Sequence, residues 1–109
     1  MKLVTKAILK KLPTLGSQSE SADPVLWVKF FTPDGGWTWF AAEGGAEDEA
    51  GEFTFWGYVI GVEPEWGSFR LSELQSVRGH LGLPVERDRY FQAKPFSQVV
   101  KVQEGSGGL

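Results

Sequence analysis

The chain has no cysteine, a single histidine and no apolar run long enough to cross a membrane. The lack of cysteine excludes structural disulfides, thiolate zinc sites, iron–sulfur clusters and a cysteine nucleophile. His80 alone cannot form a two-histidine metal site, and the Gly-x-Ser-x-Gly motif of many serine hydrolases is also missing. Neither of the glycine-rich nucleotide-binding motifs occurs. We therefore expect no cofactor and no bound metal, and we favour a non-enzymatic protein over an enzyme.

Positive charge is also scarce, because 11 lysines and arginines face 14 acidic residues in 109. The resulting net charge of −3 disfavours a protein that binds duplex nucleic acid, since such proteins carry a basic field. The N-terminal lysines Lys2, Lys6 and Lys10 interrupt the apolar residues, so the segment is not a signal peptide, and we expect a cytoplasmic protein without a membrane anchor. The acidic and glycine-rich segment Glu43–Glu52 is predicted to be a solvated loop.

The aromatic and apolar residues that are present predict the fold class. A helix is expected over residues 5–12, with Thr5 as its N-cap, and a second helix is expected from Ser72, which opens a Ser-x-x-Gln capping box. Apolar alternation predicts antiparallel strands, listed here with their expected bounds: 25–32, 37–42, 53–62 and 68–71. The pattern indicates an α+β fold, an antiparallel sheet of about four strands with two helices mainly on one face.

The predicted strands are apolar on both faces, so both faces of the sheet need a cover. The helices can cover one face, and either the C-terminal segment or a partner must cover the other. We assign residues 1–97 to a single domain and residues 98–109 to a C-terminal tail. The residues 63–67 are predicted to form a turn. Residues 87–92 are expected to form either a short last strand or an extended arm, and residues 95–102 a final helical turn or two.

The candidate binding residues are tryptophans and arginines, the residue types that are enriched at the centres of protein interfaces. They are Trp37, Trp39, Trp66, Arg78 and Arg87. The competing interpretation is that the tryptophans pack the core of a small aromatic sheet and that the arginines form structural ion pairs. The leading hypothesis is binding to an unidentified protein partner.

Two other functions stay open at this stage. A nucleic-acid-associated protein would use the N-terminal lysines together with the aromatics, and salt-dependent binding to an oligonucleotide would reveal it. An enzyme would use Arg78, His80, Glu86 and Asp88, which requires these four side chains to converge in one pocket.

Three blocks of sequence together carry a resemblance to a known family: Leu3–Pro13, Val28–Phe40 and Leu71–Tyr90. Over residues 1–97 the chain resembles the bacterial family called domain of unknown function 2958. The resemblance implies a small cytoplasmic protein of the kind often carried on plasmids, phages and other mobile elements. It implies no activity, cofactor or site residue. We therefore expect a non-enzymatic accessory protein, whose partner and oligomeric state the sequence leaves open.

Overall fold

The computed structural model of the protein describes residues 2–46 and 52–100. Its elements are, in chain order, α1 (Lys6–Lys11), β1 (Val25–Leu26), β2 (Val28–Phe31), β3 (Thr38–Ala46), β4 (Phe53–Ile60), β5 (Pro64–Arg70), α2 (Leu71–Ser76), β6 (Glu86–Arg87), β7 (Lys94–Pro95) and α3 (96–100). None of the helices in these two ranges combines the length and hydropathy needed to span a bilayer.

Five strands form one antiparallel sheet in the order β5-β4-β3-β2-β6, and β1 pairs with β7 in a separate two-stranded ribbon. The α+β class and the antiparallel pairing are confirmed. The predicted count of about four strands and two helices is wrong, because the described residues contain a five-stranded sheet and three short helices. Strands of two residues, such as β6, are too short to show the alternation that sequence reading depends on.

The two faces of the sheet are covered by different parts of the chain. Ile8 of α1 and Leu74 of α2 pack on the first face, against Phe55 and its neighbours. The second face is covered by the C-terminal segment 91–100, which contributes Val99 together with Phe91 and Phe96. The helical residues 96–100 continue across the proposed domain boundary at residue 97, which itself stays a prediction.

The predicted strand over residues 25–32 is interrupted at Trp27, which divides it between two sheets. The backbone amide of Trp27 donates to the carbonyl of Ala41 at 2.8 Å. Leu26 joins the second face and Val28 joins the first, so the simple alternation expected through Trp27 is lost. The interruption reflects pairing with two different strands, which no local pattern in the sequence records.

The prediction of a solvated loop from Glu43 is wrong for the first part of that segment, because β3 continues to Ala46. Glu43 is 3% exposed. Its carboxylate accepts the backbone amide of Gly16 at 2.6 Å and that of Gln18 at 2.7 Å, which satisfies the buried charge. Of the remainder, residues 47–51 lie outside the described residues.

The helix starts differ in how well the sequence signals them. Thr5 caps α1 as predicted, its hydroxyl accepting the amide of Ile8 at 3.3 Å. The predicted capping box at Ser72 is wrong, since α2 begins at Leu71 and the Glu73 carboxylate instead accepts the amide of Arg70 at 3.3 Å.

The predicted turn over 63–67 is also wrong, because β5 begins at residue 64 and the bend lies at 61–63.

Candidate binding groove

The β2–β3 hairpin places two tryptophans on one face of the sheet. Trp37 and Trp39 are two residues apart, and the period of a strand puts them on the same side. Their ring centroids lie 5.8 Å apart with an interplanar angle of 25°, so the rings are stacked. Trp39 is buried at 6% exposure, whereas Trp37 is 43% exposed. The pair therefore runs from the core to the surface.

The backbone on both sides of Trp37 is held in place. Its amide donates to the Thr32 hydroxyl at 3.0 Å, and its carbonyl accepts the Thr32 amide at 3.0 Å. The ring lies against the backbone of Gly61 in the β4–β5 bend, where any Cβ would overlap the indole. Glycine at this position lets the ring approach the main chain closely. Trp37 is thus an exposed aromatic ring with a supported orientation.

Beside the two tryptophans lies a cavity of about 540 Å³, which we call the Trp groove. One wall is the hairpin, with Thr32, Gly35, Gly36, Trp37 and Trp39. The other wall is α2 and the loop after it, with Glu73, Leu74, Val77, Arg78, Gly79 and His80. Its volume falls within the range of about 300 to 1,000 Å³ that is typical of ligand pockets.

Asp34, in the hairpin turn, joins the two walls of the Trp groove. It is 8% exposed, and its Oδ2 accepts the amides of Leu81 at 2.7 Å and Leu83 at 3.2 Å. Oδ1 has no hydrogen-bond partner in the described part of the chain. A Cβ at Gly79 would overlap the carboxylate, so the close approach of the loop requires glycine there.

The electrostatics of Asp34 follow from the same contacts. Burial acts to raise its pKa, but the backbone hydrogen bonds from Leu83, Leu81 and Asp34 itself, together with the charge of His80, outweigh burial. The pKa of Asp34 therefore lies below its ordinary value. At neutral pH the turn holds the opposite wall through an ionised carboxylate.

Arg78 lies at the edge of the Trp groove with its guanidinium anchored at the end of α2. Nη1 donates to the carbonyls of Gln75 and Val77, each at 2.8 Å. A cation at a helix C-terminus satisfies carbonyls that the helix leaves free. Within the described residues, Nε and Nη2 have no hydrogen-bond partner. The Trp groove is therefore lined by a held cation as well as by two tryptophans.

Comparison with known protein families gives a match over nearly the whole chain. Residues 3–109 match the family described as "Protein of unknown function (DUF2958)". The chain belongs to this family. The match extends past residue 97, where the resemblance in the sequence ended, and it includes the segment that covers the second face of the sheet. No curated protein and no solved structure matches the chain.

In this member of the family, three of the five candidate residues meet at the Trp groove: Trp37, Trp39 and Arg78. Trp66 lies on the other face of the sheet, where it stacks on Trp56 with centroids 4.8 Å apart. Arg87 lies on β6, and its Nη1 donates to the carbonyls of Lys2 at 2.7 Å and Leu3 at 3.1 Å. The structure thus does not bring Trp66 and Arg87 to the groove.

The four residues of the enzyme hypothesis do not share a cavity. Arg78 and His80 line the Trp groove, whereas Glu86 and Asp88 line a separate cavity of about 400 Å³. Asp88 also pairs with Lys29, with Oδ2 and Nζ 3.8 Å apart. The convergence that the enzyme hypothesis requires is therefore missing among these four side chains.

Sequence reasoning missed Asp34 and Gly79 as residues that shape the groove. Asp34 stands in a Pro-Asp-Gly-Gly turn, where aspartate is expected for local reasons alone. Gly79 lies beyond the end of α2 at Ser76, and the absence of a side chain there admits the Asp34 carboxylate. Nothing in the local sequence around Asp34 or around Gly79 indicates that these two residues lie in contact.

Proposed function

We propose that this protein is a non-enzymatic accessory protein that binds another protein through the Trp groove. The observation that carries the proposal is Trp37, an aromatic ring that is 43% exposed and yet supported by Trp39 and Gly61. Burying a ring that is already oriented loses little conformational entropy, so such a ring makes an efficient anchor. A cytoplasmic location and a role in mobile-element or phage biology, which the family resemblance implies, are part of the same proposal.

The surroundings of Trp37 support a protein partner. Aromatic residues and arginine dominate the energetically important centres of protein interfaces, and Arg78 lies at the same groove. Val62, whose side chain is exposed, follows directly after Gly61, the residue whose backbone lies against the ring, and adds apolar surface to that bend. The interpretation of the tryptophans as core residues applies to Trp39 and to the pair on the other face, but not to Trp37.

A nucleic-acid partner is less well supported by the groove. Glu73 lies on its wall together with Arg78, so the formal charges of these two side chains cancel. Lys6 and Lys10 of α1 do not line it. Binding to a polyanion depends on several cations acting together, which the groove does not offer.

The test is photocrosslinking from a position that leaves Trp37 intact. A photoreactive amino acid is placed at the exposed Val62, which follows the Gly61 that contacts Trp37. In a matched protein it is placed at Tyr90, which is 92% exposed and does not line the groove. We expect one protein to be captured from the native host at Val62 and not at Tyr90. With the purified partner, Trp37→Ala is expected to weaken binding at least about tenfold, while Tyr90→Ala leaves it unchanged. Equal capture at both positions, or unaltered affinity of Trp37→Ala, would contradict the proposal.

A further inference from the structure

A second cavity adjoins the Trp groove on the far side of Arg78. It has a volume of about 300 Å³, and Leu74 and Arg78 line both cavities. Its other lining residues are either aliphatic or polar: Leu3, Val4, Leu71, Pro84 and Val85 are aliphatic, and Lys2 and Gln75 are polar. Arg78 therefore borders both the Trp groove and this second cavity, whose wall is largely aliphatic on the side of Leu3, Val4 and Leu71.

The hydrogen bonds of Arg78 determine which edge of the guanidinium is available. The two hydrogens of Nη1 are used by the carbonyls of Gln75 and Val77. The edge formed by Nε and Nη2 is left without a partner in the described ranges, and this edge matches the two oxygens of a carboxylate. Because the guanidinium is already held, a carboxylate that binds there need not order it first.

We propose that the partner docks with a peptide segment in which an acidic residue is flanked by apolar side chains. Its carboxylate binds the Nε/Nη2 edge of Arg78, an aromatic side chain enters the Trp groove, and an aliphatic side chain enters the second cavity. This inference rests on the proposed function and names the chemistry of the segment that the groove recognises.

The charges favour an acidic peptide over a nucleic acid. A phosphate could also accept from Arg78, and Lys2 and Gln75 are further donors in the second cavity. The aliphatic side chains of its wall offer a sugar or a base no hydrogen bond, whereas they suit an apolar side chain of a peptide. Glu73 on the wall of the Trp groove would repel the next phosphate of a polyanion. A peptide with a single acid and apolar neighbours meets the cation without bringing charge against Glu73.

The probe is a library of random peptides of about twelve residues displayed on phage, selected on the full chain. We expect the selected sequences to carry Asp or Glu beside an aromatic residue. The strongest binder is then synthesised with its acid intact and with the acid replaced by the corresponding amide. Arg78→Gln and the amide peptide should each weaken binding at least about tenfold, and the two changes together should weaken it no further. Arg89→Gln, at an exposed arginine outside both cavities, and Tyr90→Ala should bind as the unaltered protein does.

Several results would overturn the inference. They are a selection that yields no binder, selected peptides without an acid, and additive effects of Arg78→Gln and the amide peptide. A twelve-nucleotide single strand that binds through Arg78 and displaces the peptide would also overturn it and favour nucleic acid. Thermal unfolding of each variant verifies that the fold is retained. If the crosslinked partner loses affinity with Trp37→Ala but not with Arg78→Gln, this inference fails while the proposed function stands.

Discussion

The protein contains two stacked tryptophan pairs that differ in what covers them. Trp37 and Trp39 stack with centroids 5.8 Å apart, and Trp56 and Trp66 stack with centroids 4.8 Å apart. The second pair is covered by the C-terminal segment, since the Phe96 ring meets Trp66 edge to face at a centroid distance of 4.8 Å. The first pair borders the Trp groove, and Trp37 stays exposed.

The comparison shows that a pair of aromatic residues in a strand does not by itself indicate whether the pair will be covered by the chain or left at the surface. Both pairs lie on the same five-stranded sheet or directly beside it. What separates them is whether a distant part of the chain returns to that face. A function assigned to exposed aromatics therefore depends on contacts that lie outside the strand itself.

The largest effect is expected from Gly57→Ala, which removes the support of both pairs. A Cβ at Gly57 would overlap the carbonyl of Phe40, so β3 and β4 could not keep their spacing. We expect the free energy of unfolding to fall by about 4 kcal/mol, measured by urea denaturation. The matched control is Gly67→Ala on the neighbouring strand, directly opposite Gly57, where a Cβ meets no atom within 4 Å. If Gly57→Ala and Gly67→Ala lowered the free energy of unfolding by similar amounts, the close approach of Phe40 to Gly57 would not be the cause of the loss of stability.

Phe96→Ala should affect the covered pair alone. The substitution removes a ring that contacts both Trp66 and Tyr58, and it should lower the free energy of unfolding by about 2 kcal/mol. Tryptophan fluorescence should shift to longer wavelength because Trp56 and Trp66 become hydrated. Tyr90→Ala, at an exposed aromatic, should alter neither quantity. Loss of partner binding by a folded Phe96→Ala protein would argue that the binding surface lies on this face.

Asp34→Asn should loosen the Trp groove, which Trp37 and Trp39 line, and should change how the stability of the protein depends on pH. The folded-state pKa of Asp34 lies below the ordinary value of 3.8, so the ionised carboxylate stabilises the fold above that pH. The contribution is lost as pH falls through the lower folded-state pKa. We therefore expect the variant to be less stable than the unaltered protein at pH 7 and the difference to shrink as the pH falls below about 4. Urea denaturation at pH 7 and at a pH below about 4 measures the difference in the free energy of unfolding between the two proteins. A difference that does not change with pH would contradict the lowered pKa of Asp34.

The smallest effect on stability is expected from Trp37→Ala, although its effect on binding should be large. The ring is partly exposed, so we expect the free energy of unfolding to fall by less than about 1 kcal/mol. Trp39→Ala is the matched comparison, because that ring is buried and its loss should cost about 3 kcal/mol. Equal losses from the two substitutions would mean that Trp37 is as much a core residue as Trp39.

Part of the fold and of the groove could be predicted from sequence. The two sides of β4 were predicted correctly because Phe55 and Trp56 follow the strand period. Trp37 and Trp39 were predicted as candidate binding residues, and both line the Trp groove. The strand at Glu43–Ala46 was missed, because its acid and glycines are typical of loops, and the buried carboxylate is satisfied by amides 25 and 27 residues away. Local composition cannot report such a partner.

The sequence by itself determined the α+β class, the cap at Thr5 and the two apolar sides of β4, because each depends on residues that are neighbours in the chain. Only the tertiary structure decided which tryptophan pair is covered and where the groove lies. Asp34 joins a wall of the groove that is 47 residues away at Leu81, and Phe96 covers Trp66 from the other end of the domain. Whether an aromatic side chain is buried depends on contacts between segments that are distant in the sequence. The apolar area that those contacts remove from water cannot be recognised from the neighbouring residues alone.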